Sequence, residues 1–214
     1  MSAARAESRA TEATRPNADT ARATLARLTK SVHDNLHRQR SFARLMSESL
    51  AMADYRRLLA RLYGFYAAFE DALRADADLD PEIDFCLVAK APLLLADLVA
   101  LGISWHEIEM VEKCRYMPPL QSQDEIVGAF YVVEGSGLGG KVIARKLDYL
   151  FGDNGPAGRR FFIGRPAPDP LPWTKFCHLL ERRAEAGGLT AIANSALHTF
   201  ETFELWMNEG ECDV

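Results

Sequence analysis

Leu25, Leu28, Val32 and Leu36 recur at spacings of three and four, the period that returns side chains to one face of an α-helix. This first predicted helix carries His33 and His37. A second stripe, from Tyr55 through Leu58, Leu59, Leu62, Tyr66 and Phe69 to Leu73, predicts a long helix over 51–74, with Arg56, Arg57, Arg61 and Asp71 mostly on its other side. Asp80, Pro81, Glu82 and Asp84 have the form of a helix start, and the apolar run Phe85 to Leu101 predicts a third helix, broken near Pro92 and stopped at Gly102. Trp105 to Cys114 adds a short element before Pro118 and Pro119. Ser122 and Glu125 form a capping-box pattern that opens a helix running through Ile126, Phe130, Val133, Leu138, Val142 and Leu147 to Leu150. After the proline-rich loop from Pro166, helical patterns cover 172–186 and 189–208.

No strand-and-helix alternation or internal repeat interrupts these patterns, so the expected fold class is all-α. At 214 residues, with 48% hydrophobic and 26% charged positions, the chain suits a single-domain helical bundle. Residues 1–21 contain few large apolar side chains and are expected to form a disordered N-terminal tail, followed by one domain over 22–208 and a C-terminal tail over 209–214. A net charge of −5 argues against nucleic acid as a partner. The tempting membrane segment, Ala91 to Ile103, is interrupted by Asp97 and falls short of the ~20 residues a span requires, so no membrane association is expected. Without an apolar leader, and with Cys86, Cys114, Cys177 and Cys212 scattered rather than paired, a cytoplasmic location is expected.

Gly135, Gly137, Gly139 and Gly140 need a physical cause, because each glycine inside a helix costs roughly 0.5–1 kcal/mol relative to alanine. A phosphate loop matches the spelling of Gly135 to Lys141, but Val142 replaces the magnesium-binding hydroxyl and no βαβ pattern surrounds the segment. Close helix packing is a second cause. A third is a bare helix backbone lying over a flat, bulky ligand, with an imidazole such as His33 on the opposite side.

The segment Phe130-Tyr131-Val132-Val133-Glu134-Gly135-Ser136-Gly137-Leu138-Gly139-Gly140 resembles the distal-helix signature of bacterial haem oxygenases, the biliverdin-producing type associated with bacteriophytochromes. Leu28-Thr29-Lys30-Ser31-Val32-His33 resembles the proximal-helix pattern of the same family, and the likeness extends over about residues 22–208. The resemblance implies haem b, as cofactor and substrate, between a proximal helix and a kinked distal helix. It implies His33 as the iron ligand, Gly135, Ser136 and Gly139 as catalytic positions, and Gly135, Gly139, Gly140, Tyr131 and Arg27 as haem-binding positions. Arg22, Lys175, Arg182 and Arg183 are further basic candidates for the propionates. The implied reaction opens a meso carbon with O2 and external electrons, giving biliverdin, carbon monoxide and ferrous iron. A ferredoxin or an NAD(P)H-dependent reductase would donate the electrons, and a bacteriophytochrome would receive the biliverdin. Ser136 stands where the animal branch of the family has an aspartate, which leaves open the group that orders distal water. A haem carrier or sensor that does not turn over, and a helical interaction protein without haem, remain the alternatives.

His33 and His37 also have the spacing of zinc ligands, but no glutamate of a protease motif lies between them, and His37 is expected to face solvent. The carboxylates around His106 and His198 lack the Glu-x-x-His order of di-iron bundles.

Overall fold

The computed structural model describes residues 20–75, 89–152, 155–164 and 171–209, and these are helical with short connections. In chain order the helices are α1 (Ala21–Leu28), α2 (Lys30–Arg38), α3 (Arg40–Met46), α4 (Met52–Ala75), α5 (Ala91–Ala100), α6 (Trp105–Glu109), α7 (Gln123–Lys146), α8 (Asp148–Phe151), α9 (Arg160–Ile163), α10 (Leu171–Arg183) and α11 (Leu189–Glu209). A π-helical turn, Ala184–Gly188, joins the last two. There Gly187 takes a φ of 99°, a left-handed conformation that glycine adopts without a Cβ penalty.

The first predicted helix is divided into α1 and α2, and α3 follows it as an element the sequence pattern does not predict. Thr29 interrupts it, because the Oγ1 hydroxyl donates back to the Leu25 carbonyl at 2.8 Å, and such local bonding competes with regular helix. The N-terminus of α1 is held twice: Thr20 accepts from the Ala23 N–H, and Glu181 accepts from the N–H groups of Ala21 and Arg22. Ala21, placed by its sequence in the expected tail, is buried and helical. The predicted start at Asp80 and Pro81 lies outside the described residues. Pro92 sits at the opening of α5 rather than breaking a longer helix, since the first turn needs no intrahelical N–H at that position. The 105–114 element shortens to α6, and the 122–150 pattern divides at Leu147.

Two long helices carry the core. α4 buries Tyr55, Leu59, Leu62, Phe65 and Phe69, while α7 buries Ile126, Val127, Ala129 and Phe130. Phe69 meets Phe130 edge-on with ring centroids 5.9 Å apart. α11 packs along α7 and is tied to α4 by reciprocal bonds: Arg61 Nε donates to the Trp206 carbonyl at 2.7 Å, and Trp206 Nε1 donates to the Arg61 carbonyl at 2.8 Å. The Arg61 guanidinium also lies 3.1 Å from the centre of the Trp206 ring, a cation–π contact. α7 is long and apolar enough to cross a bilayer by length and composition, and in this fold it is a core helix.

α7 starts where the sequence predicts. Ser122 accepts from the Glu125 N–H and Glu125 accepts from the Ser122 N–H, satisfying two donors that would otherwise lack partners. α7 continues as a single helix through the glycine cluster.

Candidate functional site

Past Phe130, α7 stops presenting large side chains on one face. Val132, Gly135, Ser136, Gly139, Gly140 and Ile143 follow one another at helical spacing and line a cavity of about 610 Å³. His33 lines the same cavity, with Lys30, Asp34 and His37 from its own helix, α2. Leu62, Phe65, Phe161 and Phe203 help close the rest with apolar surface. α2 buries no residue of its own, which explains the incomplete burial of its apolar stripe: Leu36 faces this cavity instead of the core.

The glycines of α7 differ in what a side chain would meet. At Gly139 an added Cβ finds no atom within 4 Å, and at Gly135 it finds only the edge of Trp173, 3.6 Å away. At Gly140 the added atom would lie 2.7 Å from the Phe162 carbonyl, so this glycine permits close approach of α9 even though it also borders the cavity. Gly135 and Gly139 therefore leave a bare strip of backbone beside open volume. That is the shape required by a broad, flat ligand.

α9 is fixed in place by a buried carboxylate. Asp97 of α5 accepts from the N–H groups of Arg160 at 2.9 Å and Phe161 at 2.8 Å, and thereby caps the helix that delivers Phe161 and Phe162 to the cavity. Burial pushes the Asp97 carboxyl up from its usual range, while those two N–H groups and Arg160 oppose the shift.

His33 is 56% exposed at its side chain, with Nδ1 3.8 Å from Asp34 Oδ1. The His37 ring stands edge-on to it at 4.6 Å, and Phe200 approaches its other side at 6.4 Å. His37 is exposed as expected, but it lines the same cavity.

Ser136 and Tyr66 form a directed pair. The Ser136 hydroxyl donates to the Val133 carbonyl at 2.7 Å, so the 3.1 Å contact with Tyr66 Oη requires the phenol to donate to Ser136. Burial pushes the Tyr66 phenol up to about 12, with the Ser136 bond opposing the shift, so Tyr66 stays a neutral donor at physiological pH. Sequence reasoning did not assign Tyr66 a role, although it sits on the aromatic stripe of α4.

Tyr131 also lines the cavity, with its ring 6.2 Å from Trp173. Burial raises its phenol's pKa, against the nearby Thr29 hydroxyl and Arg22 charge. Arg27 is exposed and is not among the residues that line the cavity. Lys30, three before His33, is on the cavity side and pairs with Asp34 at 2.5 Å. Lys175 and Arg182 are exposed and are not among the lining residues, while Arg183 pairs with Asp124 at 2.6 Å. A buried lysine, Lys90, lines the cavity and was missed as well. Among the described residues, no group of three or more His, Cys, Asp or Glu is arranged to hold a metal ion.

Comparison with known proteins agrees with this architecture. The fold matches the crystal structure of heme oxygenase-1 from the cyanobacterium Synechocystis sp. PCC6803 in complex with heme, with a TM-score of 0.70 and 16% identity over 91% of this chain and 93% of that one. It also matches the heme oxygenase of Leptospira interrogans, with a TM-score of 0.68 and 17% identity over 89% and 99% of the two chains. A curated heme oxygenase from Xanthomonas campestris pv. campestris (strain 8004) is 37% identical over 76 residues, which span 36% of this chain and 45% of the relative's length. The sequence model of the Heme oxygenase family matches residues 19–209, nearly the whole described fold from α1 to α11, and on that match the chain belongs to the haem oxygenase family.

Proposed function

We propose that this protein is a cytoplasmic haem oxygenase whose domain over 22–208 opens haem b at a meso carbon, using O2 and external electrons and releasing biliverdin, carbon monoxide and ferrous iron. The observation that carries this reading is the single cavity lined by both the His33 imidazole and the bare backbone at Gly135 and Gly139. When bound, haem supplies both the iron centre that activates oxygen and the carbon that is oxidised.

The chain's residues hold and orient. His33 offers an imidazole nitrogen to the iron, a common metal-ligating role for this side chain. Gly135 and Gly139 allow the α7 backbone to approach the porphyrin and restrict which edge is accessible from the opposite face. Gly140 keeps α9 close behind them, so the apolar wall formed by Phe161 and Phe162 excludes water. The Ser136 hydroxyl donates its hydrogen bond to the Val133 carbonyl and accepts from Tyr66, leaving acceptor capacity toward the cavity. A water held there must donate to Ser136 and present its second proton or its oxygen to the ligand. Lys30 and Tyr131 are the polar groups placed to meet the haem propionates.

Electrons are proposed to come from a ferredoxin or an NAD(P)H-dependent reductase. The sequence resemblance supports a bacteriophytochrome as the recipient of biliverdin. The test is to load the purified protein with hemin, add a chemical reductant in air and follow the visible spectrum. Replacement of the Soret band by a broad red absorption supports turnover. A Soret band that survives repeated reduction in air would make the protein a haem carrier and overturn the oxygenase reading.

A further inference from the structure

Lys90 is 8% exposed, borders the cavity and plays no part in the chemistry described above. Its backbone is pinned, because Glu70 Oε1 accepts from the N–H groups of both Lys90 and Ala91, at 2.7 and 2.8 Å. From this N-terminus of α5 the side chain crosses to α7, where Nζ donates to the Val133 carbonyl at 2.7 Å. That carbonyl is the one that accepts from Ser136, so an ammonium and a hydroxyl converge on a single oxygen at the edge of the glycine strip.

The groups facing Lys90 come from two helices. α4 contributes Glu70, itself paired with Arg74 at 3.2 Å, and Tyr66, whose ring centre lies 6.0 Å from Nζ. α7 contributes Glu134, whose Oε1 is 3.9 Å from Nζ, is buried and accepts no hydrogen bond. Desolvation lowers the Lys90 pKa, and the carboxylates of Glu134 and Glu70 oppose it. Burial in turn raises that of Glu134, with Lys90 opposing. An apolar side chain would fill this space without the cost of burying a charge.

We propose that Lys90 is a positioning residue for the haem-facing wall: by holding the Val133 carbonyl it fixes the turn from Val133 to Ser136, and with it the direction of the Ser136 and Tyr66 hydroxyls. This role rests on the haem reading of the cavity. It places a buried positive charge beside the wall formed by α7, where it would act on a bound ligand through both hydrogen-bond geometry and field.

The test compares wild type, Lys90→Met, Lys90→Arg and Glu134→Gln as ferric haem complexes, titrated from neutral to alkaline pH by visible spectroscopy. Lys90→Met is expected to take up haem stoichiometrically, with its alkaline spectral midpoint moved upward by about one pH unit, because a cation that favours the deprotonated form has been removed. Lys90→Arg restores the midpoint to within a few tenths of a unit. A Lys90→Met complex that titrates like wild type overturns the proposal. Should Lys90→Met not fold by circular dichroism, Lys90→Arg and Glu134→Gln decide: retention of the wild-type midpoint by the arginine variant with a displaced midpoint in the glutamine variant supports the role, and any other pattern overturns it. A wild type that forms no stoichiometric Soret band defeats the haem reading itself, a result distinct from an unshifted midpoint.

Discussion

Gly128 and Gly139 are eleven positions apart on the same helix and have opposite surroundings. A Cβ at Gly128 would lie 2.2 Å from the Ile192 carbonyl and 2.8 Å from Ser195 Cβ, because α11 is pressed against the first half of α7. At Gly139 it would meet nothing within 4 Å. One glycine is required by packing within the chain; the other faces open volume, where packing gives no reason to omit a side chain. The identity of the residue therefore says little, and its surroundings separate a structural glycine from one reserved for a ligand.

The sharpest way to break this comparison is Gly128→Ala. The new methyl group strikes backbone, which cannot swing aside, and a loss on the order of 3 kcal/mol is expected. A thermal melt would show it as a fall in Tm of roughly 6–12 °C. Gly139→Leu should behave in the opposite sense: the ligand-free protein melts no lower than wild type, while hemin affinity in a Soret titration falls at least about tenfold, equivalent to about 1.4 kcal/mol. An unchanged affinity would mean that the bare strip is not a binding wall. The smaller Gly139→Ala change should raise ligand-free stability by roughly 0.5–1 kcal/mol through helix propensity alone, measurable by chemical denaturation. Gly140→Ala falls between the two glycine classes, and its contact with the Phe162 carbonyl should make it destabilising.

The smallest expected effect is remote from both glycines. Lys113 approaches Asp71 Oδ2 at 2.6 Å on the surface and holds its carboxyl below the ordinary range, with the neighbouring Arg74 acting in the same sense. Because the folded-state pKa is depressed, this contribution is present at neutral pH and is lost as the solution is acidified through the usual carboxylate range and below it. Both side chains are about half exposed, so Asp71→Asn should leave hemin binding unchanged and shift neutral-pH stability by no more than about 1 kcal/mol.

Periodicity made α4, α7, α10 and α11 legible, since their apolar positions recur at helical spacing, and α7 also carries a recognisable capping box. The division at Thr29 was not legible, because it depends on a hydroxyl bonding one turn back rather than on a helix-breaking residue. His33, Tyr131, Gly135, Ser136, Gly139 and Gly140 all reach one cavity, but spacing alone could not tell that Gly140 abuts α9 whereas Gly139 faces space. Lys90 interrupts a run that is otherwise largely apolar from Phe85 to Leu101, one of two charges there with Asp97, and that was the available signal; its contact with Val133 depends on tertiary packing.

The most direct test of the central claim is a hemin titration of wild type beside His33→Ala, with far-UV circular dichroism confirming that both are folded. The account predicts a Soret band that saturates at one equivalent in wild type and is displaced or lost in the variant. An identical band in both proteins would contradict His33 as the iron ligand, and the absence of saturable binding in wild type would contradict the assignment of the cavity to haem.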